Sequence, residues 1–307
     1  MEYIVLKNSD LKVSRLCMGG CPMGGYGWGK VEEDELIDAV HRALELGVNF
    51  FDTADTYGLG KSEETLAKAL GPKRKEVIIA TKFGVRVENG KTFYDNSPEY
   101  IKKACDASLK RLNTDYIDLY QVHYRDGKTP LSEVVKTLDA LKAEGKIRYY
   151  GLSNIHEDDL DDIKKYKDKF VSFQDEYSLA CRKNEEDIKL FKDELGLSLL
   201  TWGSLGQGLL TGKYDIYVNF HGKKLLKNLE IVDEMKKIAV RVDKPVSAIA
   251  IRWILDYLSE SVVLVGVKRP SQIEGNVQAF GWNLSQEDIN MLNKISYEKE
   301  DILSAQV

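Results

Sequence analysis

Eight times along this chain a short run of β-branched and aromatic residues gives way to a stretch whose apolar positions recur at helical spacing. The runs read RLCMG, VNFFD, EVIIATKF, YIDLYQVH, IRYYGLS, FVSFQDE, SLLTWG and SVVLVGV. The helix-like stretches between and after them cover residues 31–46, 62–70, 97–112, 131–144, 156–166, 184–195, a longer region at 226–258, and 271–279. Ser97-Pro98-Glu99 is a start signal, since serine can cap and proline fits the first turn; Ser62 ahead of Glu63 and Glu64 reads the same way. Gly47, Gly145 and Gly196 fall just past helical patterns, where glycine favours termination. An αβ unit repeated eight times with no Pro/Gly/Ser-rich linker predicts an α/β fold: a single (β/α)8 TIM barrel forming one domain over residues 1–307. An N-terminal β-hairpin, turning at Asn8-Ser9-Asp10, and an extra C-terminal helix near residues 285–295 would decorate it.

A chain of 307 residues is within the usual size of such a barrel, and 43% hydrophobic with 30% charged residues suits a large core under a polar surface. The formal charge of −5 is spread along the chain without a basic stripe, so nucleic acid is not an expected partner. No window approaches the roughly 20 apolar residues of a membrane span, and the N-terminus lacks the basic start and apolar run of a signal peptide. Four cysteines, Cys17, Cys21, Cys105 and Cys181, form no metal-ligand spacing, so no metal is expected and a reducing cytoplasm is the predicted location.

In a barrel of this kind chemistry sits at the C-terminal ends of the strands. Gathered there are Asp52, Lys82, His123, Ser153, Asn154, Gln174, Glu176, Trp202 and Gly266, with Tyr57 on a glycine-rich turn five residues past Asp52. Singly, Asp52 with Lys82 could be a structural ion pair and His123 a satisfied core histidine. Together on one rim they suggest a proton donor aimed at a carbonyl. A phenol is a poor acid or base at neutral pH unless a cation stabilises its phenolate. Lys82 could supply that cation, Asp52 could hold the ammonium charged, and His123 could hydrogen-bond a carbonyl oxygen beside Tyr57.

The segments GVNFFDTADTYGLGKSE, IIATKFG, DLYQVHY, YYGLSN, FQDEY and SLGQGLLTGKY, in that order, resemble the aldo-keto reductase superfamily, especially its bacterial branch related to the potassium-channel β-subunits. The resemblance spans roughly residues 3–295 and implies carbonyl reduction with a nicotinamide cofactor held without a Rossmann fold. GQGLLT supports that last point, because Thr211 replaces the third glycine of the dinucleotide fingerprint and follows a late strand. Residue by residue, the resemblance makes Asp52, Tyr57, Lys82 and His123 the catalytic tetrad, with Tyr57 the general acid. It assigns Ser153, Asn154 and Gln174 to the nicotinamide carboxamide and Trp202 to stacking on the nicotinamide ring. Gly20, Cys21, Gly203, Ser204 and Gly266 would border the cofactor, and Leu205, Gly206, Gly208 and Lys213 would wrap its pyrophosphate.

In VGVKRPSQIEGNVQA, residues 265–279, the resemblance places Lys268 and Arg269 on an adenosine 2′-phosphate, with Gln272 and Asn276 toward the adenine. NADPH is therefore expected over NADH. Gln272 stands where many members carry arginine, and Gly275 where many carry an acidic side chain. A short segment at residues 215–227 implies an open mouth for a small-molecule carbonyl substrate, lined by Trp28, Phe83, Tyr94 and Tyr124. Two rivals remain: a cofactor-binding sensor of the channel β-subunit type, and a barrel lyase or isomerase with Lys82 as Schiff-base nucleophile.

Overall fold

The structure, a computed structural model, describes residues 1–25, 29–214 and 225–297. Its strands in chain order are β1 (Tyr3–Val5), β2 (Lys12–Ser14), β3 (Leu16–Gly19), β4 (Phe50–Asp52), β5 (Ile78–Phe83), β6 (Val85–Glu88), β7 (Lys91–Tyr94), β8 (Ile117–Val122), β9 (Ile147–Ser153), β10 (Ser172–Glu176), β11 (Ser198–Trp202) and β12 (Val262–Gly266). Eight of them, β3, β4, β5, β8, β9, β10, β11 and β12, pair in parallel in that order, and β12 closes on β3. The α-helices are α1 (Glu33–Glu45), α2 (Lys61–Leu70), α3 (Pro98–Leu112), α4 (Leu131–Ala143), α5 (Leu160–Lys164), α6 (Glu185–Leu195), α7 (Leu225–Val242), α8 (Val246–Tyr257), α9 (Pro270–Asn276) and α10 (Gln286–Tyr297). The predicted barrel, hairpin and C-terminal helix are all present.

Local chemistry explains several element ends, corrects two expectations and adds one element. Ser97 caps α3 by accepting the Tyr100 N–H, with Pro98 in the first turn. Ser62 does not cap α2: the helix begins one residue earlier, and the buried Ser62 hydroxyl donates to the Gly20 carbonyl at 2.8 Å. The long helical region at 226–258 is two helices, broken where Asp243 takes a positive φ of 52° ahead of Pro245, whose missing N–H and ring forbid a continuous helix. The third difference is an antiparallel hairpin, β6–β7, turning at Asn89-Gly90 with φ of 52° and 73°. Asn-Gly between alternating residues is a strong hairpin signal that the eightfold pattern masked.

Two apolar layers build the core. Inside the barrel lie Cys17, Phe50, Ala80, Leu119, Leu200 and Leu264, closed off from one end by Leu6, Leu11 and Val13 of the N-terminal hairpin segment. A larger layer packs the outer faces of the strands against the helices. Strand side chains alternate, so two residues beyond each interior position the chain again faces inward. That step runs from Cys17 to Gly19, Phe50 to Asp52, Ala80 to Lys82, Leu119 to Gln121, Leu200 to Trp202 and Leu264 to Gly266. The apolar interior thus gives way to a polar layer at the C-terminal mouth.

The opposite half of β8 carries a buried carboxylate of its own. Asp118 accepts from Arg74 at 2.9 Å, from Arg148 at 2.9 Å and from the Ile79 N–H at 3.0 Å. Removing it strands the buried Arg74 charge and one strand amide, so Asp118→Ala should lower the unfolding free energy by about 3 kcal/mol. Urea denaturation tests this, and an unchanged midpoint would show that Asp118 ties no strands together.

Candidate active site

Asp52 is the centre of the mouth. Its Oδ1 accepts from Lys82 Nζ at 2.5 Å, and its Oδ2 accepts from Gln121 Nε2 at 3.1 Å and Gln174 Nε2 at 3.0 Å. The three donors come from β5, β8 and β10, so four strands converge on one buried carboxylate. Lys82 Nζ also donates to the Thr53 carbonyl at 3.0 Å and to the Tyr57 hydroxyl at 3.2 Å. Burial by itself would depress the Lys82 ammonium, but the Asp52 and Tyr57 interactions outweigh it and hold its pKa above the ordinary lysine value. Gln121 was absent from the sequence reading. Its signal was the alternation in DLYQVH, which puts it on the inward face between Leu119 and His123.

Tyr57 reaches Lys82 from a loop rather than a strand, and backbone packing places it. Gly24, in the turn at Cys21–Gly24, lies so close to this loop that a Cβ on it would stand 2.6 Å from the Gly58 nitrogen and from the Tyr57 carbonyl carbon. Gly58 has a φ of 61°, and a Cβ there would meet the Gly24 oxygen at 2.4 Å. These two glycines, not recognised from the sequence, let the β3 turn press the loop inward. Burial pushes the Tyr57 phenol well above its ordinary range; Lys82 pulls the other way and Asp52 adds to the rise. Tyr57 holds its proton, with a cation beside it ready to accommodate the charge its loss would leave.

His123 stands edge-on to Tyr57, ring centroids 5.9 Å apart. Burial, with the Lys82 charge adding to it, drives its pKa well below that of free histidine, so the imidazole is neutral. Its Nδ1 is buried without a hydrogen-bond partner among the described residues, and no neighbour there fixes the tautomer. Asn154, in a left-handed conformation at φ 53°, donates to the His123 carbonyl at 3.0 Å and to the Ser153 hydroxyl at 3.0 Å, and accepts from Trp202 Nε1 at 3.1 Å. The partly exposed indole is therefore oriented by the loop that positions His123.

The remaining expected cofactor residues divide by what their side chains already do. Gly20 seams β3 to β4, its N–H donating to the Asp52 carbonyl at 2.6 Å. Cys21 lies close enough to act electrostatically on Tyr57. Ser204 is buried and bonded to Thr201, and Gln272 Oε1 accepts the Lys268 N–H at 2.7 Å, so these two support loops. Gly203, Leu205, Gly206 and Gly208 form the tight turn after β11, Gly266 is exposed at the end of β12, and Asn276 is buried at the end of α9. Lys213 and Arg269 crowd Lys268, and burial followed by these two charges lowers its pKa, offset only in part by Glu35. Like charges gathered this way fit a phosphate, which would relieve their repulsion. The residues thus fit a nicotinamide dinucleotide: an oriented aromatic plate, amide groups beside it, a glycine-rich turn and a cation cluster. Among the described residues no group of histidine, cysteine and carboxylates is arranged for a metal.

Of the expected substrate-lining residues, Tyr94 stacks on Tyr124 at 5.1 Å and Tyr124 on His123 at 5.1 Å, so both belong to the mouth. Phe83 does not: strand alternation turns it outward, where it is fully buried against Tyr120 at 4.7 Å. Trp28 lies outside the described residues, as does the segment 215–224.

The sequence profile of the Aldo/keto reductase family matches residues 15–297. The chain is 34% identical over 310 residues to aldo-keto reductase YhdN of Bacillus subtilis, covering 96% of this chain and 93% of that protein. It is 30% identical to the NADH-specific methylglyoxal reductase of Escherichia coli, covering 96% and 98%. The solved glycerol dehydrogenase of Gluconobacter oxydans superposes with a TM-score of 0.87 at 31% identity, covering 99% of both chains.

Behind the Tyr57 loop lies an acid that the sequence reading passed over. The Asp55 residue is only partly covered, yet its Oδ1 is buried and has no partner among the described residues; Oδ2 takes a long bond of 3.4 Å from the Tyr100 hydroxyl. Burial, reinforced by Glu63, raises the carboxyl to about 7. Since the unfolded value is near 4, the folded chain binds an extra proton between those pH values. The contribution of this group to stability is full below about pH 4 and lost as pH rises to 7. Asp55→Asn, which cannot ionise, should therefore be more stable than the parent at pH 8, with the gap closing toward pH 5. Thermal melts across that range test the sign, and a gap that widens toward acid would refute it.

Proposed function

The chain belongs to the aldo/keto reductase family, and from that premise we propose that it reduces aldehydes or ketones to alcohols with NADPH, Tyr57 acting as general acid. The observation that carries the reading is the contact chain Asp52–Lys82–Tyr57, 2.5 Å and 3.2 Å long, with the neutral His123 ring against Tyr57. Bound nicotinamide would supply a hydride to the carbonyl carbon. The carbonyl oxygen would lie between Tyr57 and His123, the imidazole donating a hydrogen bond as negative charge grows there. Tyr57 would pass its proton to that oxygen, and Lys82 would meet the charge left on the phenolate. Asp52, Gln121 and Gln174 keep Lys82 in place, so the acid needs no reorganisation during transfer.

For the cofactor, Trp202 would face the nicotinamide, Ser153, Asn154 and Gln174 would approach its carboxamide, and the turn after β11 would follow the pyrophosphate. Lys268 and Arg269, with the charge of Lys213 acting on Lys268 from the pyrophosphate turn, support a 2′-phosphate, the basis for naming NADPH. The NADH-specific relative, set beside the NADP(+) aldo-keto reductase yakc of fission yeast, 32% identical, indicates that members use either cofactor. Schiff-base chemistry at Lys82 finds no support, because a buried ammonium held charged by Asp52 is a poor nucleophile. Cys17, Cys21, Cys105 and Cys181 show no metal-ligand spacing, which suits a reducing compartment such as the cytoplasm.

With NADPH and a panel of aldehydes and ketones, Tyr57→Phe should lose roughly 10²–10⁴ in kcat while NADPH affinity is kept. Wild-type turnover by that variant would remove Tyr57 as the acid. NADPH binding without reduction of any carbonyl by the parent would replace the reductase reading with a sensor of the channel β-subunit type. Replacing Lys268 and Arg269 together by alanine should weaken NADPH about 10- to 100-fold and NADH far less, as read by fluorescence titration. Equal weakening of the two would overturn the 2′-phosphate assignment.

A further inference from the structure

The β6–β7 hairpin takes no part in closing the barrel, yet it is firmly based beside the mouth. Arg86 Nη1 donates to Asp95 Oδ2 at 2.6 Å, and the Asp95 N–H donates to the Gly84 carbonyl at 3.0 Å. Asn96 spans to the loop after β8, donating from Nδ2 to the Tyr124 carbonyl at 3.1 Å and from its N–H to Asp126 Oδ2 at 2.8 Å. Directly opposed residues of an antiparallel ladder share a face. The register pairs Val85 with Tyr94 and Val87 with Thr92, so these four lie on one side of the arm.

That side looks toward the reacting groups, because Tyr94 begins a ladder of rings that runs through Tyr124 and His123 to Tyr57. The other side carries Arg86, which lies over Phe93 at 4.9 Å and over Tyr100 of α3 at 5.2 Å. Although the base is anchored, Tyr94 remains 46% and Val87 40% exposed. A valine and a tyrosine left in water on the face nearest a catalytic centre make an apolar surface continuous with that centre.

We propose that the β6–β7 hairpin is a substrate-specificity arm, on which Tyr94 and Val87 bind a distal aryl group of the carbonyl compound reduced at Tyr57. The inference rests on the reductase reading above and adds a substrate class to it. Two stacking steps of 5.1 Å separate His123 from Tyr94. A ring bonded directly to the carbonyl therefore stops short of the arm, whereas a second ring beyond it, as in biphenyl-4-carbaldehyde, reaches Tyr94. Small aliphatic aldehydes gain nothing from it.

The test compares kcat/KM for biphenyl-4-carbaldehyde with that for propanal in the parent, Tyr94→Ala, Tyr94→Phe and Val87→Ser, each checked for folding by circular dichroism. The biphenyl-to-propanal ratio should fall about tenfold in Tyr94→Ala and about threefold in Val87→Ser, through KM, and stay within about twofold of the parent in Tyr94→Phe. An unchanged ratio in Tyr94→Ala would overturn the proposal. So would an equal loss on both substrates, which would make the arm a prop for Tyr124. Should the parent reduce no carbonyl of the panel above, the reductase reading itself has failed; should it only leave these two aldehydes unreduced, that reading stands. In both cases the arm is judged by quenching of protein fluorescence by biphenyl-4-carbaldehyde. Affinity lost in Tyr94→Ala and kept in Tyr94→Phe would then support it, and equal affinity in all would refute it.

Discussion

A charged carboxylate inside a barrel is costly to bury unless its oxygens are occupied, and the architecture of this mouth follows from how Asp52 meets that requirement. Lys82, Gln121 and Gln174 arrive from three other strands to satisfy it. Each of these donors is itself turned inward by strand alternation, one step above the apolar interior. The closed parallel sheet is therefore what makes the cluster possible, and the cluster in turn ties β4, β5, β8 and β10 together at their C-terminal ends.

Burial supplies the chemistry as well as the cost. The same desolvation that holds the Tyr57 proton in place keeps His123 neutral, while Asp52 keeps Lys82 charged against it. An acid that retains its proton, a neutral hydrogen-bond donor and a fixed cation form a set suited to an oxygen that becomes negative during reaction. A phenol held above its ordinary range keeps its proton at neutral pH. Loops then complete the site. Gly24 and Gly58 allow the close approach that brings Tyr57 to Lys82, and Asn154 couples the orientation of Trp202 to the backbone of His123.

Much of this was legible in the chain because it is local or periodic. The eight strand runs of the barrel, the Asn8-Ser9-Asp10 turn of the N-terminal hairpin and the Ser97-Pro98 start of α3 all reappear in the structure. The meeting of Asp52, Tyr57, Lys82 and His123 was legible too, since DTADTYG, ATKF and QVHY place them at or just past strand ends. Where the reading failed, a non-local contact had taken over a locally plausible residue. Ser62 looks like a cap but bonds to Gly20, 42 residues away. Phe83 looks like a mouth residue next to Lys82, but alternation sends it to the outer core.

The sequence by itself determined the repeating αβ order, the closed barrel it implies, and which side chains stand at the strand ends, because strand and helix periods are properties of neighbours along the chain. Only the tertiary structure decided that Gln121 shares Asp52 with Lys82, that burial outweighs Lys82 in setting the state of Tyr57, and that the Asn89-Gly90 hairpin lays Tyr94 against Tyr124. Those outcomes depend on groups 25 to 69 positions apart in sequence meeting in a space from which water is largely removed, and neither the meeting nor the desolvation is written in any one stretch of chain.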